Sequence, residues 1–157
     1  MTRQLILASL VALYAATPAV SETAPKDVSY VDGAVVAALS SAPGNAESGA
    51  KVMASRAQGN CVACHQVSAM PTVSFQGNIG PALDGVASRY DAAQLRGIIA
   101  NAKMMFDGTV MPAFYKTTGY IRPGNAYTGK AAEGELPPIL DAQQVEDVLA
   151  YLLTLKE

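Results

Sequence analysis

Cys61-Val62-Ala63-Cys64-His65 holds both cysteines and the only histidine of this 157-residue chain. C-x-x-C-H is the attachment sequence for c-type haem. A helical turn brings residues three apart onto one face. From there the two sulfurs reach the two vinyl groups on one side of a porphyrin and form thioethers. His65, next in the chain, points at the iron. One short segment thus supplies two covalent anchors, Cys61 and Cys64, and one axial ligand, His65.

Other readings of these five residues fare worse. A zinc site needs a fourth ligand, and no second Cys or His pair exists to supply it. Asp or Glu could stand in, but adjacent Cys64 and His65 suit a tetrahedral chelate poorly. A thioredoxin-like redox motif belongs beside a βαβ pattern, and no strand-rich alternation surrounds this one. A plain disulfide leaves His65 without a role.

The N-terminus points to export. Met1-Thr2-Arg3-Gln4 carries one positive charge, and Leu5 to Ala16 is apolar except for Ser9. Ala19-Val20-Ser21 then offers small residues at a cleavage site, so residues 1–21 read as a secretory signal peptide. A membrane span needs about 20 apolar residues, and this run stops near Pro18; no later segment is apolar enough to span a bilayer. The chain is therefore expected in the periplasm, where c-type haem is attached. Removing residues 1–21 takes Arg3 and no acid, so 11 basic residues become 10 against 13 acidic ones, a net of −3. With no basic cluster, nucleic acid is not an expected partner.

About 135 residues remain, enough for one domain. Residues 22–44 read as an N-terminal extension with one short ordered piece, a helix candidate, around Val31–Leu39. Residues 45–157 read as the haem domain. Asn45 is a helix N-cap candidate for a helix running to Gln58, closed by Gly59-Asn60. Asp91-Ala92-Ala93-Gln94 and Asp141-Ala142-Gln143-Gln144 have the form of capping boxes. Behind them Leu95, Ile98, Ile99 and Ala102, and then Val145, Val148, Leu149, Leu152 and Leu153, recur at helical spacing. Glu146 and Asp147 fall off the second stripe. Residues 66–90 and 103–140 show no clear elements; loops of that length call for a job, here walling in a flat cofactor. The expected fold class is all-α, small helices and long loops wrapped around one covalent haem that supplies core to a short chain.

A second histidine ligand is excluded, so the methionines supply the candidates for the other axial position. Met1 leaves with the signal, Met53 lies on the first helix, and Met70 comes only five residues after His65. Met104 and Met105 end a helical segment, where methionine is commonly core filler. Met111 follows Gly108-Thr109-Val110 and precedes Pro112, which biases it toward an extended backbone. It lies 46 residues beyond His65, room enough to pass around a porphyrin. Met111 is the leading candidate, with Met104 or Met105 as alternatives. His/Met ligation raises a haem potential and fills both axial positions, favouring electron transfer. A ligating histidine usually donates its second N–H to a carbonyl or carboxylate. Gly80-Pro81-Ala82-Leu83 is a candidate source of that carbonyl, and equally an ordinary turn by spacing alone.

The haem motif, the Gly80-Pro81 step, the Met111-Pro112 loop and the C-terminal helix match, in order, the class I c-type cytochromes. That resemblance implies a class I cytochrome c fold in which Gly49 on the first helix crosses Tyr151 on the last. It also implies that Pro81 supplies the carbonyl for His65. Gly77-Asn78-Ile79-Gly80-Pro81-Ala82-Leu83, Ser88-Arg89-Tyr90, Thr109-Val110-Met111-Pro112-Ala113-Phe114-Tyr115 and the segment from Pro138 to Leu152 more narrowly resemble the SoxX family. These are monohaem subunits of the SoxAX cytochromes of bacterial sulfur oxidation. The resemblance runs from about residue 45 to the C-terminus and implies a SoxA-type c-type cytochrome as heterodimer partner. It further implies an L-cysteine S-thiosulfotransferase complex that oxidatively couples thiosulfate to a cysteine of the SoxYZ carrier. This chain would hold one haem c, accept the electrons and pass them to a downstream acceptor. It would carry no catalytic residue of its own. With both cysteines consumed in thioethers, no thiolate remains to attack sulfur. Residues 22–44 and the haem edge are the interface candidates. Two alternatives differ in class: a free periplasmic monohaem electron carrier, and a five-coordinate haem protein that binds a small ligand with Met111 off the iron.

Overall fold

A computed structural model of the chain describes residues 22–121, 123–124 and 128–157. The signal peptide expected at residues 1–21 lies outside them. Among the described residues there is no strand, only isolated bridges at Val31–Ala34 and Gly124–Ala131. The described residues form four α-helices: α1 (Ala46–Ala54), α2 (Val86–Arg89), α3 (Ala92–Asn101) and α4 (Ala142–Leu152). Short 3-10 turns sit at Pro25–Asp27, Cys61–Ala63 and Ala102–Met104. Among the described residues, no helix is long and apolar enough to cross a membrane.

Local signals start the helices where the sequence places them. The Asn45 side chain accepts from the Ser48 N–H at 2.8 Å. Asp91 and Asp141 each form both halves of a capping box, with Gln94 and Gln144. Such caps satisfy amide donors that no helical carbonyl can reach.

The core sits where α1 and α3 meet α4. Met53, Leu95, Val145 and Val148 are wholly buried there. A Cβ on Gly49 would fall on the Asp147 carbonyl oxygen, so α1 and α4 touch backbone to backbone. Gly49 therefore meets the stretch at Asp147 and Val148. Tyr151, the expected aromatic partner, lies one turn further along α4, partly buried against the core.

Several expectations are corrected. The first helix ends at Ala54, not Gln58: the Val52 carbonyl accepts from Ser55 and Gly59, folding the chain back toward Cys61. Residues 66–90 contain α2. The short ordered piece near Val31 is not a helix. Val31 and Ala34 exchange backbone hydrogen bonds of 2.9 Å each around Asp32 and Gly33, whose φ values are +49° and +80°. Asp-Gly is the signature of such a tight turn.

Residues 22–44 pack onto the body of the protein. Val35 and Leu39 are buried, Val35 N–H donates to Ala93, and Thr23 N–H donates to Leu39. Glu146 and Asp147, off the apolar stripe of α4, are 6% and 8% exposed. Glu146 accepts from the Leu39 amide at 2.8 Å and Asp147 from the Asn45 amide at 2.8 Å. Arg96 on α3 completes this junction. It forms a paired contact with the Glu146 carboxylate at 2.7 and 3.1 Å and donates to the Val35 carbonyl at 2.9 Å.

Candidate functional site

The four helices and their connecting loops enclose an apolar cavity of about 520 Å³, within the range of sites that take a whole cofactor. Cys61, Cys64 and His65 line one stretch of it, and Met111 lines it from the loop after α3. Leu95, Ile99 and Phe114 are among the apolar residues that fill out its wall. Tyr90 and Phe106, also at the wall, pack edge to face with ring centroids 6.3 Å apart.

The 3-10 turn Cys61–Ala63 places the motif. Asn60, left-handed at φ +48°, turns the chain into it. The Cys61 carbonyl accepts from both Cys64 and His65, and the Val62 carbonyl from Gly77 at 2.8 Å. Burial pushes the Cys61 thiol up to about 11, so it is a poor source of nucleophilic thiolate at neutral pH. Among the described residues, no cluster of three His, Cys, Asp or Glu side chains is placed to hold a bare metal ion.

His65 has its orientation fixed from two sides. Its Nδ1 lies 2.7 Å from the Pro81 carbonyl oxygen. A carbonyl only accepts, so Nδ1 carries the proton and donates. Nε2 is left with its lone pair, the tautomer that a metal needs. On the other side, a Cβ at Gly80 would lie 2.6 Å from Nδ1, so the ring packs closely against bare backbone. The donor set therefore fits a covalent haem: an apolar slot, two thiols and an imidazole with Nε2 free.

Met53 and Met111 are the methionines of the cavity wall. Met53 is wholly buried in α1, and Met70 belongs to the core. Met104 is half exposed, and neither it nor Met105 lines the cavity.

Other contributing residues escaped the sequence reading. Gly80 enters the sequence reading within the Gly80-Pro81 step and the candidate carbonyl segment, with no role of its own, although its lack of a side chain makes room for His65. Arg89 donates to the Asp84 carbonyl at 2.7 Å and to Ala82 at 2.9 Å, bracing the loop that presents Pro81. Lys103 donates to the Met111 carbonyl at 2.7 Å. No local pattern announces these contacts, because their carbonyl partners are backbone atoms common to every residue.

The chain matches the family model described as cytochrome c over residues 46–156. A search of curated proteins found no match. Among solved structures, a chain of the crystal structure of SoxXA from P. pantotrophus is 60% identical. The match has a TM-score of 0.84 and covers 87% of this chain and 100% of that one.

Proposed function

The chain belongs to the cytochrome c family, and on that footing we propose that it is the monohaem, electron-accepting subunit of a SoxAX-type complex. The similarity at 60% identity over the whole of a SoxXA chain carries this reading. On this reading Cys61 and Cys64 hold the haem covalently, and His65 and Met111 are its axial ligands. Pro81 fixes the imidazole from behind. Residues 45–157 form the cytochrome domain, residues 22–44 its N-terminal extension, and residues 1–21 a signal peptide that sends it to the periplasm.

The proposed reaction joins thiosulfate to a carrier cysteine on a SoxYZ-type protein. One S–S bond forms, and the thiol and thiosulfate together give the S-thiosulfonate R–S–S–SO₃⁻, one proton and two electrons. A haem in this cavity supplies a one-electron Fe(III)/Fe(II) couple. The protein's part is to hold it rigidly and keep water from it. Held by both His65 and Met111, the haem would serve electron transfer and not substrate binding. Neither Cys61 nor Cys64 is available as a nucleophile once in thioether linkage. Catalysis at sulfur therefore falls to the SoxA-type partner, and this chain receives the electrons for a downstream acceptor.

The test is to isolate the holoprotein with its neighbouring periplasmic proteins. It should co-purify with a larger c-type cytochrome, and that complex should reduce its haem when given thiosulfate and the carrier protein. Elution as a lone small cytochrome at every salt concentration would instead identify a free electron carrier.

A further inference from the structure

The segment that presents Met111 is held by few hydrogen bonds. Thr109 N–H reaches the Phe106 carbonyl at 3.4 Å, and Met111 N–H reaches the Thr109 hydroxyl at 3.3 Å. Both are at the long limit for such contacts. Val110 and Pro112 are exposed, and Pro112 has no N–H to give. The next firm anchors are the Phe114 carbonyl, which accepts from the Leu140 N–H at 3.0 Å, and the Tyr115 N–H, which donates to the Ala100 carbonyl at 3.0 Å.

Against this background one contact is short and charge-assisted. Lys103, in the 3-10 turn that extends α3, donates from Nζ to the Met111 carbonyl oxygen at 2.7 Å. The turn is itself well fixed: Ala102 is wholly buried, and its carbonyl accepts from Met105 and Phe106. Lys103 therefore ties the backbone of the candidate ligand to the end of a packed helix. Hydrogen bonds with an ionised donor are roughly twice as strong as neutral ones.

We propose that Lys103 is a positioning residue that latches the Met111 loop closed over the cofactor and so keeps the methionine sulfur on the iron. The inference rests on the assignment of Met111 as axial ligand. Lys103 does not line the cavity; it acts through the Met111 carbonyl. Losing the latch frees the loop to swing outward, and an external ligand then competes more easily for the vacated coordination position.

The experiment uses the holoprotein with Lys103→Met, which keeps the length and apolar stem, and Lys103→Arg, which keeps a charged donor. Two quantities are read in the oxidised protein: the near-infrared methionine–iron charge-transfer band, and the affinity for added imidazole. Lys103→Met is expected to weaken the band and raise imidazole affinity roughly fivefold to tenfold, the scale of one exposed charge-assisted hydrogen bond. Lys103→Arg is expected to restore both toward wild type. Far-ultraviolet circular dichroism should stay close to wild type in both variants, since Lys103 is exposed. Unchanged band and imidazole affinity in Lys103→Met would overturn the proposal, as would an Arg variant as defective as the Met variant. A wild-type protein lacking the band would instead sink the Met111 assignment, a failure visible before any variant is made.

Discussion

At His65, one ring nitrogen is committed and the other is kept free by two neighbours that are not themselves reactive. The Pro81 carbonyl takes the Nδ1 proton at 2.7 Å, and Gly80 leaves the space in which the ring lies. The two act together, because a ring displaced from Gly80 loses its line to Pro81. Gly80→Ala would put a methyl group 2.6 Å from Nδ1. The ring must then shift, at a cost of about 1–3 kcal/mol in overpacking. Denaturation of the holoprotein should show that loss. The midpoint potential should rise, because an imidazole without its carbonyl partner is a weaker donor. An unchanged potential would mean that the ring keeps its hydrogen bond by moving backbone instead.

At the scale of elements, α1 and α4 are joined by contact that leaves no room for a side chain. Gly49 faces the Asp147 carbonyl directly, while Val52 and Met53 fill the space beside it. Backbone cannot yield as a flexible side chain can. Gly49→Val is therefore expected to separate the helices and cost about 3 kcal/mol, read by chemical denaturation. Two residues earlier, Glu47 makes an exposed ion pair with Lys51 at 2.7 Å. Glu47→Ala should leave stability almost unchanged, because the pair is exposed to solvent. The contrast separates a helix contact from helix propensity, since both positions lie in the same nine-residue helix.

Across the whole molecule, the N-terminal segment is tied to the helices by polar groups far apart in sequence. Arg96 and Glu146 form a buried pair, 11% and 6% exposed, and Glu146 also accepts from the Leu39 amide. Glu146→Ala strands the guanidinium and the amide together, so a loss of about 3–5 kcal/mol is expected. The double change Arg96→Met, Glu146→Ala should recover part of it and not all, because the Leu39 amide still lacks its acceptor. The start of the segment is held by Tyr115, whose hydroxyl donates to the Thr23 carbonyl at 2.6 Å. Tyr115→Phe should cost about 1 kcal/mol. Burial, then the Glu22 and Asp141 carboxylates, raise the Tyr115 phenol above its ordinary value. A tyrosine of the unfolded chain gives up its proton first, from about pH 10. The folded state then holds more protons, and stability falls as the pH rises through that window. An alkaline titration should loosen residues 22–30 in the wild type, and in Tyr115→Phe the Tyr115 contribution to that slope should disappear.

What the sequence determined by itself was whatever depends on near neighbours. Three spaced residues, Cys61, Cys64 and His65, define a cofactor chemistry because one helical turn is enough to bring them together. Asn45, Asp91 and Asp141 start helices because a cap bonds amides two or three residues ahead. Tertiary structure decided what depends on chain returning from afar. Glu146 and Asp147 look solvent-facing on a helical wheel, yet they are buried because residues 39–45 cover them and offer amides as partners. Gly80 looks like an ordinary turn residue until His65, fifteen positions earlier, lies against it. Lys103 looks like one more surface lysine until the Met111 carbonyl returns to within 2.7 Å. In each case one side of the contact is backbone, which carries no sequence signature, so only the path of the folded chain could reveal it.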